Sequence, residues 1–318
     1  MAAVGALAWN CYHVAMLINL VQLRTFVAVA EERHLTRAAD RLNISRSAAS
    51  EHIRAVEARL RLVLFSRTNR SLELTHAGTL LMQQAKVLLN QAAQFASFSR
   101  ALHGELDGEL VISANSDPVK SRIGEIFATL RERCPLISVD LRARHSAGTL
   151  QGLRNGEIDA GILTHTPIDP GITWYTLTTV RFMIVGPVAW KDRLAVADWS
   201  DLAAMPWTTS SDENLTYASW LRQQFADRGL TINRVVRFDN AALAQPLPQA
   251  GVGLMLMREE HALQGERAGV LAVSSLATAE FPLLFAHLTS RGHDPLIQAF
   301  VDAVGAVWPE MHPASPRR

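Results

Sequence analysis

The segment LTRAADRLNISRSAASEHIRAVEARL, residues 35–60, decides the fold of the N-terminal part of this chain. In its first half, Ala38, Ala39 and Leu42 recur at helical spacing. We expect Thr36 to cap the start of this helix, and the apolar pattern breaks directly after Leu42. The first half therefore predicts a short helix that ends in a tight turn.

The second half predicts another helix, which begins after Ser45, a good N-cap residue. Ala49, Ile53 and Val56 give this helix one apolar face. The opposite face carries Arg46, Ser47, Ser50, Glu51 and Arg54. Two helices joined by so tight a turn pack closely only because small alanine side chains let the backbones approach. This pattern is typical of a helix-turn-helix, whose second helix is the recognition helix.

A basic turn follows the recognition helix. The sequence FSRTNR at residues 65–70 carries Arg67 and Arg70. Strand-like residues flank this turn on both sides, at 63–65 and 72–74. The segment therefore predicts a basic wing beside the recognition helix.

With these segments the chain resembles the LysR-type transcriptional regulators. The matching stretches are LRTFVAVAEE at 23–32, LTRAADRLNIS at 35–45, LFSRTNRSLELTHAG at 64–78, GEIDAGI at 156–162 and AGVGL at 250–254. The resemblance runs from about Leu20 to Trp308. It implies an α/β protein with an N-terminal winged helix-turn-helix, a long linker helix, and a two-lobed effector domain like the periplasmic binding proteins.

Charge is distributed unevenly along the 318 residues, although the formal net charge is only +1. Residues 16–106 hold 12 Lys and Arg against 7 Asp and Glu, whereas residues 107–318 hold 19 against 23. The basic excess thus coincides with the predicted DNA module. The two cysteines, Cys11 and Cys134, form no disulfide framework and have no partner at metal-ligand spacing, so the chain fits a reducing cytoplasm.

The first 23 residues contain no Asp, Glu, Lys or Arg, but we do not interpret them as a signal or membrane anchor. A basic leader is missing, and Asn10, His13 and Asn19 interrupt the apolar run. Members of the resembled family usually begin shortly before the first helix. Met16 is therefore an alternative start, with residues 1–15 as an extension.

Residues 76–103 predict one long helix, because no proline interrupts them. Leu81, Leu88 and Phe95 recur every seven residues, which is typical of a helix that pairs with a second helix. The alternative is a helix that lies on its own globular domain. The family resemblance implies a linker helix that pairs two subunits in a dimer or tetramer.

The remaining chain shows an internal duplication with an offset of 95 residues, in which His145 matches Asn240 and Gly156 matches Gly251. Alternating strands and helices predict an open α/β sheet in each copy, with a cleft between the copies. The chain is expected to cross between lobes near 180–184 and 281–285. The predicted domains are an extension (1–15), the winged helix-turn-helix (16–75), a linker and dimerisation helix with a hinge (76–106), the first lobe (107–181 plus 282–310), the second lobe (182–281) and a flexible tail (311–318).

The predicted DNA contacts divide into two groups. By the family resemblance Arg46, Ser47, Ser50 and Glu51 face base edges, although the family usually has glutamine and arginine where Arg46 and Glu51 stand here. Arginine recognises guanine and glutamate can accept from cytosine, whereas the alternative for Glu51 is an intrahelical pair with Arg54. Arginines on the wing and at helix starts are expected to contact DNA phosphates or the minor groove. The alternative is that they lie on the solvated surface. The full predicted set is Thr36, Arg37, Ser45, Arg46, Ser47, Ser50, Glu51, Arg54, Arg67 and Arg70.

The predicted effector site lies in the polar loops that follow strands, where open α/β sheets bind ligands. Its residues are Asn115, Ser116, Asp117, His145, Ser146, Thr164, His165, Thr209, Ser210, Asp239 and Asn240. Helix capping by Ser116, Asp117, Ser211 and Asp212 is a parallel role for the same kind of residue. Hydroxyls and free N–H groups suit a carboxylate, whereas Asp117 favours an amine-bearing metabolite.

Catalytic motifs are absent from the sequence: it has no Gly-x-Ser-x-Gly, His-Glu-x-x-His, P-loop or Cys-x-x-Cys pattern. We therefore predict no enzyme, no cofactor and no metal site. The competing classes, an enzyme or a transport-type binding protein, would need cleft catalysis or an export signal. The prediction is a cytoplasmic homo-oligomeric regulator that binds promoter DNA and a small effector, contacts RNA polymerase, and is not bound to a membrane.

Overall fold

The computed structural model describes residues 18–67, 72–101, 106–114, 120–167 and 169–313. These residues form two compact units. The first comprises the described residues up to 103 together with Asn155–Glu157, and the second comprises the rest. Among the described helices, none combines the length and the apolar character that a membrane crossing requires.

The first unit is a winged helix-turn-helix followed by a long helix, as predicted. Its elements are α1 (Leu20–Glu32), α2 (Leu35–Arg41), α3 (Arg46–Leu60), β1 (Phe65–Arg67), β2 (Leu72–Leu74) and α4 (His76–Ala101). The strands β1 and β2 pair antiparallel and form the wing. Ala38 and Ala39 are only 0% and 1% exposed, which confirms that small side chains sit where the helices approach. Phe26 and Phe65 meet edge to face in the core, with ring centroids 5.6 Å apart.

The observed helix cap matches the predicted one at α3 and differs from it at α2. Ser45 Oγ accepts a hydrogen bond from the Ala48 N–H at 3.1 Å, which confirms the predicted cap. The predicted cap at Thr36 is wrong, because α2 begins at Leu35 and Thr36 already lies inside the helix. His34 takes that place, and its Nδ1 accepts from the Arg37 N–H at 3.4 Å.

The seven-residue apolar repeat of α4, here called its seam, consists of Leu81, Leu88 and Phe95. Its first and second halves lie in different surroundings. Leu81 packs against the core of the first unit, beside Met82 and Ala85. Leu88 and Phe95, by contrast, are 39% and 78% exposed. Only the second half of the seam is therefore free to meet a partner helix.

The second unit is an α/β structure. Its strands are β3 (Gly108–Ala114), β4 (Ile137–Ala143), β5 (Ala160–Leu163), β6 (Ile172–Pro187), β7 (Pro206–Ser210), β8 (Asn233–Phe238), β9 (Met255–Arg258), β10 (Leu271–Leu288) and β11 (His312–Pro313). Its helices are α5 (Ile123–Arg133), α6 (Ser146–Arg154), α7 (Lys191–Val196), α8 (Trp199–Ala204), α9 (Thr216–Ala226), α10 (Ala241–Ala244), α11 (Pro246–Gln249), α12 (Glu259–Arg267) and α13 (Pro295–Val307), with 3-10 turns at Val188–Trp190 and Thr289–Arg291.

The expectation of a separate sheet in each lobe is only partly correct. One sheet runs in the order β11-β6-β10-β5-β3-β4, and β9 adds to it by pairing with β6. The long strands β6 and β10 pair antiparallel and so belong to both lobes. The parallel pair β7 and β8 continues the second lobe through a bridge between Trp207 and Leu254. The two lobes share strands because backbone hydrogen bonding continues through the crossings.

The structure confirms the internal duplication. Strand β5 at 160–163 corresponds to β9 at 255–258, which is the offset of 95 residues. In both copies a glycine with positive φ precedes that strand: Gly156 has φ +67° and Gly251 has φ +83°. Such a left-handed turn favours glycine, so the landmark has the same physical cause in each copy.

Candidate nucleic-acid interface and effector cleft

The outer face of α3 is polar and exposed. Ser45, Arg46, Ser47, Glu51 and Arg54 are exposed and Ser50 is half-buried. On the opposite side the helix packs into the core through apolar side chains that are at most 7% exposed: Ala49, Ile53 and Val56. In the described part of the chain no ion pair joins Glu51 to Arg54. Both side chains remain available to a ligand, and their DNA contacts stay predictions.

A hydrogen bond that the sequence analysis missed sets the rotation of α3 on α1. Thr25 is buried, and its Oγ1 donates to the Val21 carbonyl at 2.9 Å. The same Oγ1 lies 2.9 Å from Nδ1 of His52, on α3. Because the hydroxyl has one proton and uses it on Val21, His52 Nδ1 must donate. No local pattern announces this contact, since the two residues are far apart in sequence.

Glu57 anchors the start of the wing. Its Oε1 accepts from the Leu64 N–H at 2.8 Å and from the Phe65 N–H at 3.3 Å. Gly78 allows the close approach behind the wing, because a Cβ there would lie 2.2 Å from the Leu64 carbonyl oxygen. These contacts hold β1 against α3, which positions the wing relative to the recognition helix.

Three arginines were predicted to contact the DNA backbone, and the structure describes two of them. Arg37 Nη2 donates to the Glu32 carbonyl at 2.6 Å, yet its side chain remains 65% exposed at the start of α2. Arg67 is the last residue of β1. Arg70 lies outside the described residues.

In the first lobe, the polar residues at the ends of β4 and β5 meet. His145 and Ser146 stand at the start of α6, and His145 Nδ1 accepts from the Gly148 N–H at 3.2 Å. Ser146 Oγ accepts from the Thr164 N–H at 2.9 Å and lies 3.3 Å from Thr164 Oγ1. These three predicted residues form one cluster, and part of their role is to hold the loops in place.

In the second lobe, hydroxyls gather where β7 ends. Ser210 Oγ accepts from the Asp212 N–H at 3.1 Å. Burial raises the pKa of the Tyr217 hydroxyl, and its ring stacks on Phe182 of β6 with centroids 5.1 Å apart. Thr209 Oγ1 is buried and has no hydrogen-bond partner among the described residues. Tyr217 was not predicted, because an isolated tyrosine at a helix start carries no signal.

One contact joins the two polar clusters across the lobes. His145 Nε2 lies 3.2 Å from Asp212 Oδ2. Because His145 Nδ1 already accepts from a backbone N–H, Nε2 carries the proton that donates to Asp212. Asp212 Oδ1 also accepts from the Asn214 N–H at 2.9 Å, a local turn in the loop before α9. The predicted capping of α9 by Asp212 is wrong, because its N-cap is Leu215 and no side chain caps the helix.

Other predicted effector residues are not brought into this cluster. His165 is exposed and has no hydrogen-bond or ion-pair partner within the described ranges. Asp239 and Asn240 are exposed after β8, and Asn240 caps α10 by accepting from the Ala242 N–H at 2.9 Å. Asn115, Ser116 and Asp117 lie outside the described residues. No group of three or more His, Cys, Asp or Glu suited to a metal ion occurs in the part of the chain that the structure describes.

Comparison with known proteins agrees with this architecture. Residues 103–309 match the family described as "LysR substrate binding domain", and residues 20–79 match "Bacterial regulatory helix-turn-helix protein, lysR family". The chain belongs to the LysR family of transcriptional regulators. Among its relatives, the transcriptional regulator PtxR of Pseudomonas aeruginosa is 33% identical over 202 residues, a match that covers 60% of this chain and 64% of PtxR. The matched region thus spans less than two thirds of that relative.

Solved LysR-type structures share the fold. Full-length CbnR in complex with its target DNA has a TM-score of 0.64 at 22% identity, covering 91% of this chain and 99% of CbnR. Full-length LysG from Corynebacterium glutamicum with bound effector Arg has a TM-score of 0.61 at 23% identity, covering 92% and 99% of the two chains. At these identities the likeness concerns the fold alone.

Proposed function

We propose that this LysR-family chain binds promoter DNA as a sequence-specific transcriptional regulator. The observation that carries this proposal is the exposed polar face of α3, backed by a buried apolar face and flanked by a wing. That arrangement suits insertion into the major groove, where Arg46 can read guanine and Glu51 cytosine. The structure of CbnR with its target DNA supports the same use of the fold.

The test begins with selection of duplexes from a random-sequence pool by the full chain. We expect enrichment of a two-fold related site, because paired modules read paired half-sites. Arg46→Ala should then lose about 1–3 kcal/mol on the selected site and relax the preference at one base position. Arg70→Ala should weaken binding to all sequences alike, and Arg267→Ala, on the surface of α12, controls for the lost charge. No enrichment over the pool would refute sequence-specific binding.

A small effector is proposed to bind between the lobes and to act by linkage. His145, Ser146 and Thr164 from one lobe and Ser210 and Asp212 from the other converge there. A histidine opposite an aspartate suits a metabolite that carries a carboxylate, an amine or both. LysG, which has the same fold, was solved with bound effector Arg. Ligand binding would change the closure of the lobes and thereby the spacing of paired DNA modules.

A thermal-shift screen of amino acids and small carboxylates on the full chain tests the effector proposal. A ligand that binds only the folded state raises the unfolding midpoint by mass action. Ser146→Ala should abolish part of that rise while leaving effector-free DNA binding intact. If Ser146→Ala instead lowers the midpoint without ligand and keeps the full rise, Ser146 holds the fold and does not contact the effector.

The assembly and cellular setting follow from the same proposal. We infer a homodimer or homotetramer, in which the exposed half of α4 pairs subunits, acting in the cytoplasm where promoter DNA lies. Contact with RNA polymerase is the expected route to an effect on transcription. Sedimentation of the full chain tests the assembly directly.

A further inference from the structure

Polar contacts hold both the start and the middle of helix α4 against the winged helix-turn-helix. At the start, Thr75 donates its N–H to the Leu64 carbonyl at 2.9 Å, and its Oγ1 accepts from the Gly78 N–H at 3.0 Å. In the middle, Lys86 Nζ lies 3.0 Å from Oε1 of Glu31, near the end of α1. With a rise of 1.5 Å per residue, the step from Thr75 to Lys86 spans about 16 Å. Contacts this far apart along a helix define its direction.

Glu31 connects α4 to two helices of the DNA module. Its Oε2 accepts from Arg41 Nη1, on α2, at 2.8 Å, and Arg41 Nη1 also lies 3.5 Å from Glu32 Oε1. Burial raises the pKa of Glu31, but hydrogen bonds from Lys86 and Arg41 lower it more, so Glu31 is an anion at neutral pH. Charge-assisted hydrogen bonds are short and directional. Glu31 therefore ties α1, α2 and α4 together in one geometry.

Lys86 also lies near a second carboxylate. Its Nζ is 3.9 Å from Glu157 Oε1, in the stretch Asn155–Glu157 that belongs to the first unit. This distance is too long for a hydrogen bond, so the contact with Glu31 is the stronger one. The side chains of Glu31 and Glu157 are 31% and 29% exposed, which makes them a matched pair for comparison.

The apolar contacts of α4 alone leave its tilt less strictly defined. Ala85 is buried, and Leu81, Met82 and Leu89 pack against the same core. Apolar burial is non-directional, so it opposes separation of the helix more than a small rotation. Helix α4 has 26 residues, a length of about 39 Å, and a tilt of about 10° would move its far end by ~7 Å. That displacement corresponds to about two base-pair steps of DNA.

We propose that the ion pair of Lys86 with Glu31 sets the spacing of the two half-sites that the protein selects. This inference rests on the proposed function, in which modules paired through the exposed half of α4 read paired half-sites. The ion pair fixes the tilt of α4 on α1, and α4 carries that tilt to the subunit contact. Lys86 and Glu31 are thus positioning residues, separate from the polar face of α3 that reads bases.

Binding to duplexes with varied spacers tests the proposal. Each duplex carries two copies of the half-site selected by the full chain, moved apart or together in single base-pair steps. The unaltered chain should prefer one spacing. Lys86→Met, which removes the charge, should reduce discrimination against neighbouring spacings by about fivefold, the upper limit for a partly exposed pair. Its affinity for a single half-site should stay within about twofold.

Three further variants assign the effect to this pair. Lys86→Arg keeps a cation and should keep the spacing preference. Glu31→Gln, on the other partner, should repeat the loss of preference. Glu157→Gln removes the more distant carboxylate and should leave the preference unchanged. Circular dichroism melts and sedimentation show that each variant is folded and has the mass of the unaltered protein.

The outcomes separate this proposal from the proposed function. An unchanged spacing preference in Lys86→Met would overturn it, as would a loss in Glu157→Gln equal to that in Glu31→Gln. Equal weakening on every duplex, the single half-site included, would also overturn it, because Lys86 would then serve the fold or attract DNA in general. If the unaltered chain reads a half-site but ignores spacing, this proposal alone fails. Failure to select any duplex would refute the proposed function itself.

Discussion

At the scale of single residues, a buried ion network around Arg291 lies at the end of β10 in the second unit. Arg291 is 5% exposed and contacts the carboxylates of both Asp159 and Asp294. Asp159 Oδ2 also accepts from the Val111 N–H at 2.6 Å, and Asp294 Oδ1 accepts from the Leu296 N–H at 3.0 Å. One arginine therefore connects β3, β5 and the start of α13.

Arg291→Met should strongly destabilise the second unit, because it leaves two buried carboxylates without their cation. Breaking a buried pair in this way costs about 3–5 kcal/mol of unfolding free energy. Urea unfolding followed by tryptophan fluorescence measures the loss. Arg181→Met is the matched control: its partner Glu280 lies 2.8 Å away, but both side chains are about half exposed. That exposed pair should cost about 0–1 kcal/mol, and equal losses in the two variants would contradict the proposed role of Arg291.

His287 should make stability depend on pH. Burial lowers the pKa of His287 below its ordinary value of 6.5, and nearby Arg291 lowers it further. Between the folded and unfolded pKa values the unfolded chain binds more protons, so the free energy of unfolding falls as pH falls below about 6.5. His287→Asn can keep the hydrogen bond to the Leu288 carbonyl but cannot titrate. Urea unfolding between about pH 7.5 and 5.5 should show a flatter slope for the variant, and an unchanged slope would exclude His287 as the source.

At the scale of elements, α4 combines two roles that a seven-residue period cannot separate. Its first half packs on the core of its own unit, while Leu88, Phe95 and Phe98 form an exposed stripe, 39%, 78% and 45% exposed. An apolar stripe on an exposed helix is normally covered by a partner. The alternative of a helix on its own domain therefore applies to one half only.

Leu88→Asp should dissociate subunits that pair through α4, because it places an unpaired charge in an apolar helix contact. Sedimentation at micromolar concentration and DNA affinity should fall together. Gln83→Asp, a charge introduced at an exposed position off the stripe, is the control. An unchanged mass for Leu88→Asp would place the subunit contact elsewhere.

At the scale of the whole second unit, the lobes are joined by shared strands and by the contact between His145 and Asp212. The shared strands β6 and β10 are continuous in their pairing except at register shifts. The side-chain contact, in contrast, is half exposed and can break without unfolding either lobe. It is therefore an adjustable part of the inter-lobe connection, as is the partly exposed ion pair of Lys120 with Glu260, whose Nζ and Oε1 atoms lie 2.7 Å apart.

A double-mutant cycle with His145→Ala and Asp212→Ala should measure this contact. Because both groups are partly exposed, we expect a coupling of about 0.2–1 kcal/mol in unfolding free energy. The coupling should vanish when an effector from the thermal-shift screen saturates the cleft and takes over either partner. A coupling of zero without ligand would mean that the lobes do not make this contact in solution.

Local and periodic features were predictable from the sequence alone. The helix-turn-helix follows from helical spacing, two small alanines and the Ser45 cap, all of which act within a few residues. The repeat of 95 residues and its glycine turns were visible because each copy repeats the same backbone requirement. The α2 cap was missed for an equally local reason, since the helix begins at Leu35, two residues earlier than a cap at Thr36 requires, and His34 is the cap.

Only the tertiary structure decided the long-range pairings. The contacts of Arg291 with Asp159, of His145 with Asp212 and of Thr25 with His52 join residues that no spacing rule connects. The same holds for the sheet that continues through both lobes and for the exposed half of the α4 seam. Such pairings depend on which surfaces meet when the chain closes, and a one-dimensional pattern records only what each surface is made of.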